Sequence, residues 1–164
     1  MHHWSSLALL ARVAAAGLAS ELWRETSATA QQSLWDPFVV GLGAGTLKRE
    51  TFATYVAQDA AFLKSFADAY KRAERKCGDE EAPPLQARCR GDLKELRAAV
   101  ADELKRHSGY AKKWGADLGR DFKPLTATID YTSFLEKVSR DPTASAAEVV
   151  AAMVPCMTLY AVLG

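Results

Sequence analysis

The chain is short of cysteine, of net charge and of alternating patterns, and each shortage excludes something. Three cysteines occur in 164 residues, Cys77, Cys89 and Cys156, and no two form a C-x-x-C pair. A zinc knuckle is therefore unsupported, and no metal is expected. A disulfide scaffold is not expected in a domain with 49% hydrophobic residues. Cys77 and Cys89 read instead as incidental residues beside a polar connection, and the compartment as reducing. The net charge is only +1, with acidic and basic residues interleaved, so no polyanionic partner is implied. Aromatics do not interleave with a basic patch, which gives nucleic-acid binding no support. No apolar–polar alternation of period two persists, so strands are not expected.

The N-terminus lacks acid until Glu21, and Leu7 to Ala19 is apolar apart from Arg12. That run is too short and interrupted to span a bilayer, and no membrane partner is expected. It reads as the start of an amphipathic first helix in preference to an organellar presequence, with a secretory signal third. Residues 1–19 are accordingly an N-terminal extension or presequence, and 20–164 one domain. The expected location is cytoplasmic, with mitochondrion or plastid as the alternative.

What is present is helix. A first helix is expected over about Ser6 to Thr29. A short one follows over Leu34 to Val40, with Asp36 as N-cap and Pro37 in its first turn. Gly41, Gly43 and Gly45 break it; their register is wrong for a dinucleotide loop. Thr46 is expected to cap a long helix that fades near Cys77. A loop at Gly78 to Pro84 leads to a helix over about Gln86 to Arg106, continuing towards Trp114. Further helices are expected over Tyr131 to Ser139 and Ala144 to Leu163, with a turn at Asp141-Pro142-Thr143. The sum is an all-α bundle.

Within the third helix, Phe52, Tyr55, Val56, Phe62, Leu63, Phe66 and Tyr70 fall on one face, and Asp59 lies in the middle of that stripe. A carboxylate facing a core is costly unless something pairs with it. Its partner is either a group of this chain or a ligand. Glu103 and His107 stand one helical turn apart, and an ordinary surface charge pair is the expected account. In the last helix Cys156 follows Pro155, which interrupts the backbone ladder, and Tyr160 stands one turn beyond on the same face. A lone cysteine in an apolar helix is most often inert packing. Together with Tyr131, however, Asp59, Cys156 and Tyr160 make a set suited to a flat, nitrogen-rich ring. A carboxylate accepts from ring amino groups, aromatic faces stack, and a thiolate attacks an electron-poor carbon.

The motifs Trp35-x-Pro37-Phe38-Val39, Gly45-Thr46-Leu47, Phe52-x-x-Tyr55-Val56-x-Gln58-Asp59-x-x-Phe62-Leu63, Tyr131-Thr132-Ser133 and Val154-Pro155-Cys156-x-x-x-Tyr160 together resemble the TenA (thiaminase II) family. The ending of the chain looks most like the plant proteins that join such a domain to a phosphatase. The resemblance implies a haem-oxygenase-like helical bundle and hydrolysis of aminopyrimidines from thiamin breakdown, or of thiamin itself. It implies Cys156 as nucleophile, Asp59 on the amino face of the ring, and Tyr131, Tyr160 and Phe62 as pocket lining. It implies no cofactor. Asp36 stands where the family usually has histidine, and Phe62 where many members have tyrosine.

The resemblance also implies further helices after Gly164, bearing another tyrosine and an acid/base glutamate, so the bundle is expected to be incomplete at its C-terminus. The last helix is apolar all round, with Val149, Val150, Met153, Val154, Met157, Leu159, Val162 and Leu163, and wants neighbours on every side. Self-association into a homo-oligomer is expected. The alternative to an aminopyrimidine hydrolase is a catalytically inactive TenA-like chain acting as a binding or interaction module.

Overall fold

The computed structural model describes residues 20–78, 83–115 and 122–163. Six helices and no strand occur among them: α1 (20–34), α2 (Pro37–Gly43), α3 (Arg49–Arg75), α4 (Pro83–Trp114), α5 (Thr126–Arg140) and α6 (Ala146–Leu163). The expected first helix runs on to residue 34, and its expected start lies outside the described residues. Among the described residues two compact units are present, one of residues 20–47 with Leu163, the other of residues between 48 and 162.

In the first unit the Asp36 carboxylate accepts from the Phe38 amide at 2.8 Å, and Pro37 opens α2, as the sequence leads one to expect. The helix then closes on itself. The Thr46 and Leu47 amides donate to the Gly41 carbonyl at 2.9 and 3.0 Å, and Gly45 takes the left-handed backbone (φ 69°) that glycine adopts without strain. Thr46 is thereby spent in the turn. It does not cap α3, whose N-cap is Lys48, without a side-chain bond.

In the second unit the partners of α3 reveal the topology. Arg49 meets Trp114, Asp59 meets His107, Glu74 meets Arg97 and Cys77 meets Cys89, so α4 runs antiparallel to α3. Gln58 meets Thr128, Phe62 meets Tyr131, Arg72 meets Ser139 and Lys76 meets Asp141, so α5 runs parallel to it. Residue α6 Met157 receives the Tyr70 hydroxyl at 3.1 Å, and Ala152 receives that of Tyr131 at 3.2 Å. The core gathers Phe66, Ala69, Tyr70 and Ala73 of α3 with Leu93, Leu135, Val149 and Met153. The apolar stripe read from α3 is thus the face that packs.

Three further boundaries, at the starts of α4, α5 and α6, differ from expectation. Helix α4 begins at Pro83, because proline is at home in a first turn. Helix α5 begins five residues before Tyr131: the Leu125 amide, which nothing on its own helix caps, is met by the Gln58 side chain at 2.9 Å. Helix α6 starts at Ala146 behind a capping box, the Ser145 amide and hydroxyl each bonding Glu148 at 2.7 Å. The Asp141 turn is as expected, its carboxylate accepting from the Thr143 amide at 2.8 Å and hydroxyl at 2.7 Å.

Cys77 and Cys89 are not incidental. They form a disulfide across the α3–α4 connection, with Cα atoms 5.9 Å apart. The antiparallel pairing of the two helices brings the end of one beside the first turns of the other, which twelve residues of sequence separation do not announce. The bond removes the ground for reading a reducing compartment.

Candidate active site

A cavity of about 420 Å³ opens between α3, α5 and α6 of the second unit. Tyr55, Gln58, Asp59 and Phe62 come from α3, Thr128 and Tyr131 from α5, and Pro155, Cys156 and Tyr160 from α6. All five residues expected to form a site, Asp59, Phe62, Tyr131, Cys156 and Tyr160, therefore line one hollow. The acid of the third helix and the sulfur of the last converge.

The walls are aromatic. Phe62 lies 5.1 Å from Phe66 and 5.2 Å from Tyr131, ring centre to ring centre, which holds both rings in a packed row. The Tyr55 and Tyr160 hydroxyls are hydrogen-bonded to each other. Burial, that bond and the Asp59 charge together push the Tyr160 phenol far above its ordinary range. The Tyr160 phenol is thereby held in its neutral form.

Asp59 has its partner within the chain, and the partner is not one that the sequence pointed to. The His107 Nε2 lies 2.5 Å from Asp59 Oδ2, with the two side chains 7% and 11% exposed. His107 Nδ1 in turn meets the Glu103 carbonyl at 3.0 Å and its carboxylate at 3.2 Å. The expectation of a surface charge pair is thus corrected, for His107 is buried. Its register carried the signal: Leu93, Leu96, Val100, His107 and Ala111 fall at the three- and four-residue steps of one face, which α4 lays on α3. Burial raises the Asp59 carboxyl above the usual carboxylate range, and His107, by charge and hydrogen bond, pulls it back down.

Cys156 is the one free cysteine among the described residues and is partly buried. Burial first, and then the Asp59 carboxylate, push its thiol up to about 11. Cys156 follows Pro155, which has no amide hydrogen to donate but lies within the continuous helix α6. The Tyr131 hydroxyl reaches this turn of α6, donating to the Ala152 carbonyl and bonding the Cys156 amide. No group of three or more His, Cys, Asp or Glu side chains able to hold a metal occurs among the described residues.

Residues 23–164 match the TENA/THI-4/PQQC family. The chain belongs to that family. It is 34% identical over 163 residues to the bifunctional TH2 protein, mitochondrial, of Arabidopsis thaliana, an alignment covering 90% of this chain and 25% of the relative. It is 28% identical over 140 residues to the aminopyrimidine aminohydrolase of Halalkalibacterium halodurans, covering 81% of this chain and 59% of that one. Among solved structures, a TenA homologue from P. horikoshii OT3 superposes with a TM-score of 0.72 at 24% identity, over 88% of this chain and 65% of that one. A TenA family transcription regulator from Silicibacter sp. TM1040 gives 0.70 at 27% identity, over 88% and 61%. The helical, haem-oxygenase-like fold expected from the motifs is the fold observed. The chain spans about a quarter of the Arabidopsis protein and about three fifths of the bacterial hydrolase.

Proposed function

We propose that this chain carries the pyrimidine pocket of a thiamin-metabolising hydrolase and acts on an aminopyrimidine, with Cys156 as nucleophile. The observation that carries the reading is the convergence of Asp59 and Cys156 on one aromatic-walled cavity. The names of its relatives support the substrate class, aminopyrimidine aminohydrolase among them.

A flat heteroaromatic ring fits between the Phe62 and Tyr131 side of the hollow and the tyrosine pair opposite. Asp59 accepts from the ring's amino group. The Cys156 sulfur adds to an electron-poor ring carbon as its proton passes to a base. The ring, now electron-rich, breaks the C–N bond of its aminomethyl arm, and that nitrogen leaves as ammonia with the proton the thiol gave up. Water adds in its place, and loss of the sulfur restores the aromatic ring. The net change is amine plus water to alcohol plus ammonia. Since the resting thiol titrates near 11, proton removal from it belongs to the substrate complex and not to the empty site.

That same raised thiol favours a second reading, a chain that binds the pyrimidine without turning it over. One assay separates the two. The purified chain and Cys156→Ser are incubated with an aminomethyl-aminopyrimidine, and ammonia is measured beside calorimetric binding. Turnover lost in the variant supports the hydrolase; equal binding with no ammonia from either supports the binding module.

Two further features belong to the same proposal. The exposed apolar side chains of α6, Val154, Met157 and Val162, support self-association, which light scattering tests. The name of the Arabidopsis relative supports a mitochondrial location, which a fluorescent fusion tests.

A further inference from the structure

His107 does not line the cavity, yet it makes the shortest contact to the one carboxylate that does. We propose that His107 is a positioning residue: it engages Asp59 Oδ2, leaves Oδ1 to meet the ring, and governs how far into acid pH the site keeps a carboxylate to offer. This rests on the reading of the cavity as an aminopyrimidine site.

The geometry argues for it. A buried carboxylate free to rotate presents its oxygens in many directions, while one held at 2.5 Å by a side chain that is itself 7% exposed presents one. The imidazole cannot swing away, because its Nδ1 is tied back to Glu103 on the preceding turn. Glu103 is held in turn by Arg106. From α4 itself, Glu103 and the Tyr110 ring, 6.2 Å away, face the imidazole. From α3 comes Asp59. Beyond Asp59 stand Tyr55 of α3 and Cys156 and Tyr160 of α6, each of which feels its charge. Among these, His107 is the group that works against burial to keep Asp59 ionised.

The sign follows. Replacing the imidazole by an amide keeps a hydrogen-bond donor but removes a charge that lowers the carboxyl pKa. The Asp59 midpoint must then rise, and binding that needs the carboxylate must be lost earlier on acidification. The test is His107→Gln in the full chain, with His107→Asn as the second variant should the first not fold. The Asp59 carboxyl is titrated by ¹³C NMR in the ligand-free protein and assigned with Asp59→Asn. Aminopyrimidine binding and kcat/KM are followed across the same pH range.

The expected result is an upward-shifted Asp59 midpoint and an affinity that falls about tenfold more at the acid end than on the plateau. An unmoved Asp59 midpoint overturns the proposal whatever the activity. A merely structural histidine would lower the melting temperature and leave both pH midpoints in place, which also overturns it. If the midpoint moves as predicted while the unmodified chain neither binds nor converts aminopyrimidine, the His107–Asp59 coupling stands, and the reading of the cavity is what has failed.

Discussion

The Tyr131 hydroxyl donates to the Ala152 carbonyl across 3.2 Å, bridging α5 to the turn of α6 that precedes Pro155. Proline removes one rung of the helix, the one that would end on the Ala151 carbonyl. Tyr131 meets the next carbonyl along, that of Ala152, and also bonds the Cys156 amide. The phenol that lines the pocket is therefore also the fastening that places the sulfur.

Tyr131→Phe tests this fastening. The ring remains against Phe62, and only the hydroxyl is lost. Stability should fall by about 1 kcal/mol, the net worth of one hydrogen bond. Turnover should fall about tenfold or more, since small displacements of a reacting group are costly. Urea denaturation and steady-state kinetics on the same preparation check both numbers.

The protonation of Cys156 gives a second prediction. A thiol titrating near 11 against an ordinary 9.0 holds roughly a hundredfold less thiolate at neutral pH. Alkylation by iodoacetamide should therefore be slow at pH 7 and climb steadily towards pH 11. Asp59→Asn removes a charge that holds the thiol up, so its midpoint should move down and alkylation at pH 8 should speed up. Mass spectrometry of the modified peptide gives the rate, and an unchanged rate in the variant contradicts the coupling.

Gln58 is a third test. Its amide donates to the Lys123 carbonyl at 2.9 Å, and its carbonyl accepts from the Leu125 amide at 2.9 Å and the Thr128 hydroxyl at 2.8 Å. One side chain thus caps α5 and holds Thr128 at the cavity. Gln58→Ala should cost about 1 kcal/mol, because the bonds lost lie mostly at the exposed end of α5, where water replaces them. It should raise KM more than it lowers kcat, since the wall loosens while Cys156 stays on α6.

The Cys77–Cys89 bond gives a fourth. It closes a short loop between two packed helices. Reduction, or Cys77→Ala with Cys89→Ala, should lower stability by about 2–3 kcal/mol without abolishing the fold. Denaturation with and without reductant measures this; peptide mapping under non-reducing conditions establishes the bond. The cavity lies at the other side chains of α3, so ligand binding by the reduced chain should persist.

Much of this was legible in the sequence, and the pattern of what was not is physical. Helical periodicity exposed the buried face of α3 and the misplaced acid within it, because an amphipathic stripe is a local property. The Asp36 cap and the Asp141 turn are local for the same reason. The partner of Asp59 was not legible: nothing in the order of residues says which turn of α4 lies across from position 59. The same holds for the disulfide, which depends on the antiparallel pairing of α3 and α4. Helix α5 began earlier than its own residues suggested, because its cap comes from α3. Where a side chain of one element completes the backbone of another, the sequence of either alone is silent.

The central claim is that Asp59 and Cys156 act on a single ring held between them. The most direct measurement is ammonia release from an aminomethyl-aminopyrimidine by the unmodified chain, Cys156→Ser and Asp59→Asn, with calorimetric binding alongside. The account predicts turnover that Cys156→Ser abolishes while the ring still binds, and that Asp59→Asn loses together with at least tenfold in affinity. Tight binding to Asp59→Asn, or turnover surviving in Cys156→Ser, would contradict it.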